Sequence, residues 1–79
     1  MGIEFLIRAD FPTGVDPAEI LSRLDNPRDD NGWTAFTVSV EPNGYYFCDN
    51  GRSGPSTIAF RKLVDNALLY SDSVVVEQL

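Results

Sequence analysis

Glu41-Pro42-Asn43-Gly44-Tyr45-Tyr46-Phe47-Cys48-Asp49 decides the architecture of this chain, because the closure of its turn sets which aromatics reach the core. Just upstream, Trp33 to Val40 alternates at period two, the mark of a half-buried strand. Phe36, Val38 and Val40 fall on one side, and Trp33, Ala35, Thr37 and Ser39 on the other. Tyr45 to Asp49 is the returning strand of a hairpin, and two closures compete. With Pro42-Asn43-Gly44 as a three-residue loop, proline takes the first central position and glycine the positive φ. Glu41 then opposes Tyr45, Val40 opposes Tyr46 and Val38 opposes Cys48. Tyr46 and Cys48 enter the core, and Tyr45 and Phe47 face outward. With Asn43-Gly44 as a two-residue type I′ turn, Val40 opposes Phe47 and the faces exchange, since a one-residue slip flips every side chain. The fixed negative φ of Pro42 favours the three-residue loop.

Working outward, Ile3-Glu4-Phe5-Leu6-Ile7-Arg8 is another alternating strand, with Ile3, Phe5 and Ile7 on one face. Phe11-Pro12-Thr13-Gly14 breaks it. A helix is then predicted from Asp16 to Asn26. Asp16 suits the N-cap, Pro17 the first helical position and Glu19 a capping box, while Val15 and Ile20 are spaced for a hydrophobic staple. Pro27 ends it. A second helix is predicted from about Ser53-Gly54-Pro55 to Ser71-Asp72, with Phe60, Leu63, Val64, Ala67 and Leu68 as its apolar stripe. Ser73-Val74-Val75-Val76-Glu77 is a β-branched closing strand.

Strand-helix-strand-strand-helix-strand is the ferredoxin-like βαββαβ order. It predicts a four-stranded antiparallel sheet, order 4-1-3-2, with two helices on one face. Residues 1–79 make one domain of this α+β class. A chain this short buries only about 60–65% of its unfolded surface, so its stability margin is expected to be roughly 3–5 kcal/mol.

Twelve acids against six bases give a net charge of −6, which disfavours phosphate backbones and favours basic partners. Asn43-Gly44-Tyr45-Tyr46-Phe47-Cys48 loosely resembles the third-strand motif of RNA-recognition domains. It lacks the basic residue before the glycine, and Glu4 stands where the first strand would need an aromatic; no nucleic acid is expected. The loop after the first strand, Ala9 to Gly14, carries an aspartate where acylphosphatases of the same element order need an anion-binding arginine. There is no histidine, which removes the commonest general base and metal ligand together. Cys48, the lone cysteine, reads as a structural thiol. No enzyme activity, cofactor or metal is expected. No apolar run is long enough to span a membrane, and Glu4, Arg8 and Asp10 interrupt any signal-peptide core. The expected compartment is the cytoplasm.

What remains is a surface. On the three-residue loop, the sheet face away from the helices presents Trp33, Tyr45, Phe47 and Leu6, an aromatic patch suited to a homodimer or a protein partner. An alternative is a small-molecule or anion site at the loop before the second helix, with Arg52, Ser53 and Gly54 at a helix start. A third is an acidic inhibitor or immunity-type protein covering a basic site.

Overall fold

Ile3–Arg8 forms β1, Phe36–Glu41 β2, Gly44–Asp49 β3 and Val75–Gln78 β4, while Ser53–Tyr70 forms the helix α1. The computed structural model describes residues 2–51 and 53–79, with Ser53 described by its backbone alone. All strand pairs are antiparallel, in the order β2-β3-β1-β4, which read from the other edge is 4-1-3-2. β1 and β3 are central because each pairs along its whole length with neighbours on both sides or nearly so; β2 and β4 are the edges.

The two-helix ferredoxin-like plan does not hold. Among the described residues there is one α-helix, of 18 residues, and the predicted first helix is only a five-residue 3-10 turn, Glu19–Arg23. Asp16 is not its N-cap: the turn starts from Ala18 with no side-chain cap, although the Asp16 carboxylate accepts the Ala18 N–H at 3.0 Å just before it. The next bonds close after three residues instead of four, Glu19 N–H to Asp16 at 3.2 Å and Leu21 N–H to Ala18 at 3.0 Å. In an α-helix the Pro17 carbonyl would accept from Leu21. Here it accepts the Tyr45 hydroxyl at 2.7 Å, so a tertiary bond replaces the helical one. Glu19 does not complete the capping box; its carboxylate binds Arg23 one turn on. By Leu24 the chain is extended, which carries Asn26 alongside β2. Asn26 accepts the Phe36 N–H at 3.1 Å and donates to the Phe36 carbonyl at 2.9 Å, pairing with β2 as a short strand would.

The hairpin closes in a third way. Glu41 pairs with Gly44, Val40 with Tyr45 and Val38 with Phe47, so Pro42 and Asn43 alone form the loop. Neither has positive φ, which excludes type I′ and type II turns. Gly44 is needed inside the strand, not in the turn: a Cβ there would lie 1.9 Å from the Ile7 carbonyl oxygen of the adjoining β1. The face assignment is therefore the reverse of the three-residue reading.

Tyr45 and Phe47 join Ile7, Ile20, Ala35, Phe36, Ala59 and Leu63 in the core. Phe47 stacks on Phe36 at 5.3 Å between centroids and meets Phe60 edge-on at 5.4 Å. Phe11 meets Tyr45 edge-on at 5.6 Å. Such pairs add about 0.5–1.5 kcal/mol each beyond area burial, enough to outweigh a local turn preference. On α1 the buried residues are Ser56, Ala59, Leu63, Asn66 and Ala67, with Phe60 and Val64 partly covered; Leu68, expected in the stripe, is exposed. The 3-10 turn and α1 lie on the same side of the sheet, since Ile20 shares the core with Leu63.

Candidate functional site

Tyr45 is 0% and Phe47 1% exposed, so both predicted anchors are core residues and neither is available to a partner. Burial of Tyr45 is tolerated because its hydroxyl is satisfied twice, donating to Pro17 and accepting from Asn66 Nδ2 at 3.0 Å. Trp33 is 68% exposed, but on a loop before β2 and not on the sheet. That loop is closed by Asp29, whose carboxylate accepts the N–H groups of Asn31 at 2.9 Å and Trp33 at 3.0 Å. Leu6 alone keeps its expected place on the open face, between Tyr46 and Glu77. The four residues do not make one surface.

The open face is a polar grid instead. Its rows run Thr37–Cys48–Glu4, Ser39–Tyr46–Leu6–Glu77 and Glu41–Gly44–Arg8–Val75. Tyr46 donates its hydroxyl to Glu4 at 2.7 Å, and Arg8 forms an ion pair with Glu77. Hydrogen bonding to the Glu4 carboxylate pushes the Tyr46 phenol well above its usual pKa, because ionising it would set two negative charges together.

Of the predicted anion site, Arg52 and the side chain of Ser53 lie outside the described residues. Gly54 is exposed. Asp49, at the start of the same loop, accepts the Gly51 N–H with its carboxylate at 2.8 Å.

Exposed apolar side chains lie on α1, at Ile58, Leu68, Leu69 and Tyr70, and at the edge strand β4. All four of its residues are exposed, Val75 by 55% and Val76 by 44%. The Leu79 N–H donates to the Glu4 carbonyl at 2.9 Å, and antiparallel pairs alternate. Val75 and Glu77 therefore turn their backbone groups toward β1, and those of Val76 and Gln78 point away from the sheet. Among the described residues nothing bonds them. On β2 Asn26 occupies the outward groups of Phe36, whereas those of Val38 and Val40, by the same alternation, are unbonded among the described residues, as on β4.

Beside Val76, on the helix side of the sheet, lies a groove of about 380 Å³ lined by Phe5, Phe47, Ser56, Thr57, Phe60 and Val76, with Asp49 also at its wall. Phe60 forms its aromatic side, 5.3 Å from Phe5 between centroids. α1 covers the centre of the sheet and leaves this margin open. The groove is absent from the sequence reading, although Val74-Val75-Val76 carries a signal for it: an unbroken β-branched run presents apolar groups to both faces of a strand.

Among the described residues no group of three metal-ligating side chains converges, and no helix is long and apolar enough to cross a membrane. No protein-family model, curated protein or solved structure matches the chain.

Proposed function

We propose that the chain is a non-enzymatic protein-interaction module that engages a protein partner along the edge of β4. The observation that carries this reading is the fully exposed edge strand whose outward Val76 and Gln78 backbone groups stand free beside an apolar groove. A partner strand added there would gain main-chain hydrogen bonds and place alternate side chains in the groove, the two components of β-augmentation. Exposed edges of this kind template strand addition unless blunted by lysine, proline, a bulge or a covering loop. β4 has none of these, although at four residues it is short; its only charge is Glu77, already engaged by Arg8.

Val76→Pro tests the reading, because proline is tolerated where the N–H faces solvent and removes the outward donor without touching the β1 ladder. Peptide-display selection against the folded protein should enrich sequences that lose binding to Val76→Pro while circular dichroism of the variant stays native. Binders indifferent to Val76→Pro but lost on Leu6→Ser or Tyr46→Ser would move the site to the open sheet face and overturn the assignment.

A further inference from the structure

The chemistry around the β4 edge is selective, and the inference drawn from it rests on the edge reading proposed for this strand. Acids surround the strand. Asp72 precedes it, Asp10 is bonded through its N–H to Ser71 at 3.4 Å, Glu4 pairs alongside Leu79, Glu77 lies within the strand, and Asp49 borders the groove. The nearby base, Arg8, is bound by Glu77, and Arg61 on the helix is bound by Asp65. Lys62 lines a different cavity, with Asp25. Glu4, Asp10, Asp49 and Asp72 have no basic partner among the described residues, and the whole chain carries −6.

Strand geometry divides this environment in two. A guest strand hydrogen-bonded to Val76 and Gln78 directs every second side chain to the helix side, beside Val76 and the groove of Phe5 and Phe60. The intervening side chains lie on the open face, directly beside Val75 and Glu77, with Glu4 and Arg8 one strand further in. The first set meets a mainly apolar groove with Asp49 at its wall, and the second meets two carboxylates, Glu4 and Glu77, against one base, Arg8. We infer that the occupant is an extended segment of another protein in which apolar and basic residues alternate, apolar toward the groove and basic toward the open face.

A second copy of the chain fits this edge poorly. Two β4 strands related by a two-fold axis normal to the sheet keep their open faces on the same side, so the Glu4 and Glu77 of both copies gather there. Pairing Val76 with Gln78 also sets Glu77 opposite its own counterpart, and like charges directly opposite are destabilising.

The test uses the full chain and a synthetic peptide of about seven residues alternating lysine and valine, beside versions with glutamate for lysine and serine for valine. The lysine–valine peptide should slow amide hydrogen exchange at Val76 and Gln78. Its affinity should fall roughly tenfold between about 0.05 and 0.5 M salt, and it should not bind Val76→Pro. Both control peptides should fail to bind. Equal binding of the glutamate peptide at the same amides, still lost on Val76→Pro, overturns the basic occupant and leaves the edge reading standing. A concentration-dependent dimer in sedimentation that Val76→Pro abolishes makes a second copy the occupant, with the same consequence. Lysine–valine binding that survives Val76→Pro, without protection of Val76 or Gln78, removes both.

Discussion

Tyr45 and Tyr46 are adjacent and chemically identical, yet the sheet assigns them to opposite faces and holds them by different physics. Tyr45 is fully buried, its hydroxyl clamped between the Pro17 carbonyl of the crossover and Asn66 of α1. Tyr46 lies partly exposed on the polar grid and donates to one surface carboxylate. Both phenols titrate above the ordinary range. For Tyr45 the leading cause is burial, against which the Asn66 hydrogen bond acts, with smaller contributions from Tyr70, Asp16 and Glu19. For Tyr46 it is the Glu4 hydrogen bond. One face of this sheet carries the core, and the other carries the polar grid.

The sharpest way to break that contrast is at Phe47, which shares the core face with Tyr45. Phe47→Ala removes stacking with Phe36 and edge contact with Phe60 and leaves a cavity. Such truncations cost about 3–5 kcal/mol, comparable with the whole margin expected of roughly 3–5 kcal/mol. Circular dichroism at 25 °C should show a largely unfolded chain. A cooperative melt at the wild-type temperature would mean that this face does not carry the fold.

Tyr45→Phe comes next. It keeps the ring and leaves the Pro17 carbonyl and the Asn66 amide without a partner, costing about 1–3 kcal/mol in urea unfolding. The same substitution has a pH signature. A phenol whose pKa is higher folded than unfolded contributes stability that is complete below the unfolded value of about 10. That contribution is lost as pH climbs through the folded value. Wild-type stability should therefore fall above about pH 10, and Tyr45→Phe, less stable at neutral pH, should show a shallower alkaline decline. Equal alkaline slopes would show that the buried hydroxyl ionises freely in the folded state.

These long-range bonds explain which parts of the fold are legible in the sequence. Alternation in Ile3–Arg8 and in Trp33 to Val40 reports a local period; β1 lies where that period puts it, while β2 begins only at Phe36, with Trp33 drawn into a loop by Asp29 and Ala35 buried in the core instead of facing out. The capping signals at Asp16 are equally local, and Asp16 does bond the Ala18 N–H, but the turn that follows is capped at Ala18 without a side chain, and the Pro17 carbonyl is claimed by a hydroxyl 28 residues away. No window of sequence contains that competition. The hairpin register is hidden for the same reason. Local rules make Pro42 and Gly44 turn residues, whereas Gly44 is required by the approach of β1, and Tyr45 and Phe47 are drawn inward by rings on β2, α1 and the Phe11 segment. The candidate site is half legible. The run Val74-Val75-Val76 is visible, but its exposure arises from α1 stopping short of the sheet margin and from β4 having, among the described residues, no clamp like that of Asn26.

The smallest effect belongs to Tyr46 and completes the contrast. Tyr46→Phe removes an exposed hydrogen bond whose loss water makes good, so the urea midpoint should stay within measurement error of wild type. The bond is better observed by titration than by stability. With Glu4 ionised, the phenolate of Tyr46 forms late; in Glu4→Gln the repelling charge is gone and the phenol should titrate closer to about 10. Ultraviolet titration of the two proteins reads the difference directly, while their melting curves should superimpose. A Glu4→Gln protein that melts well below wild type would mean the polar grid bears on the fold as the opposite face does. The edge of β4, which shares that grid through Glu77, would then be part of the scaffold instead of a surface free to accept a partner.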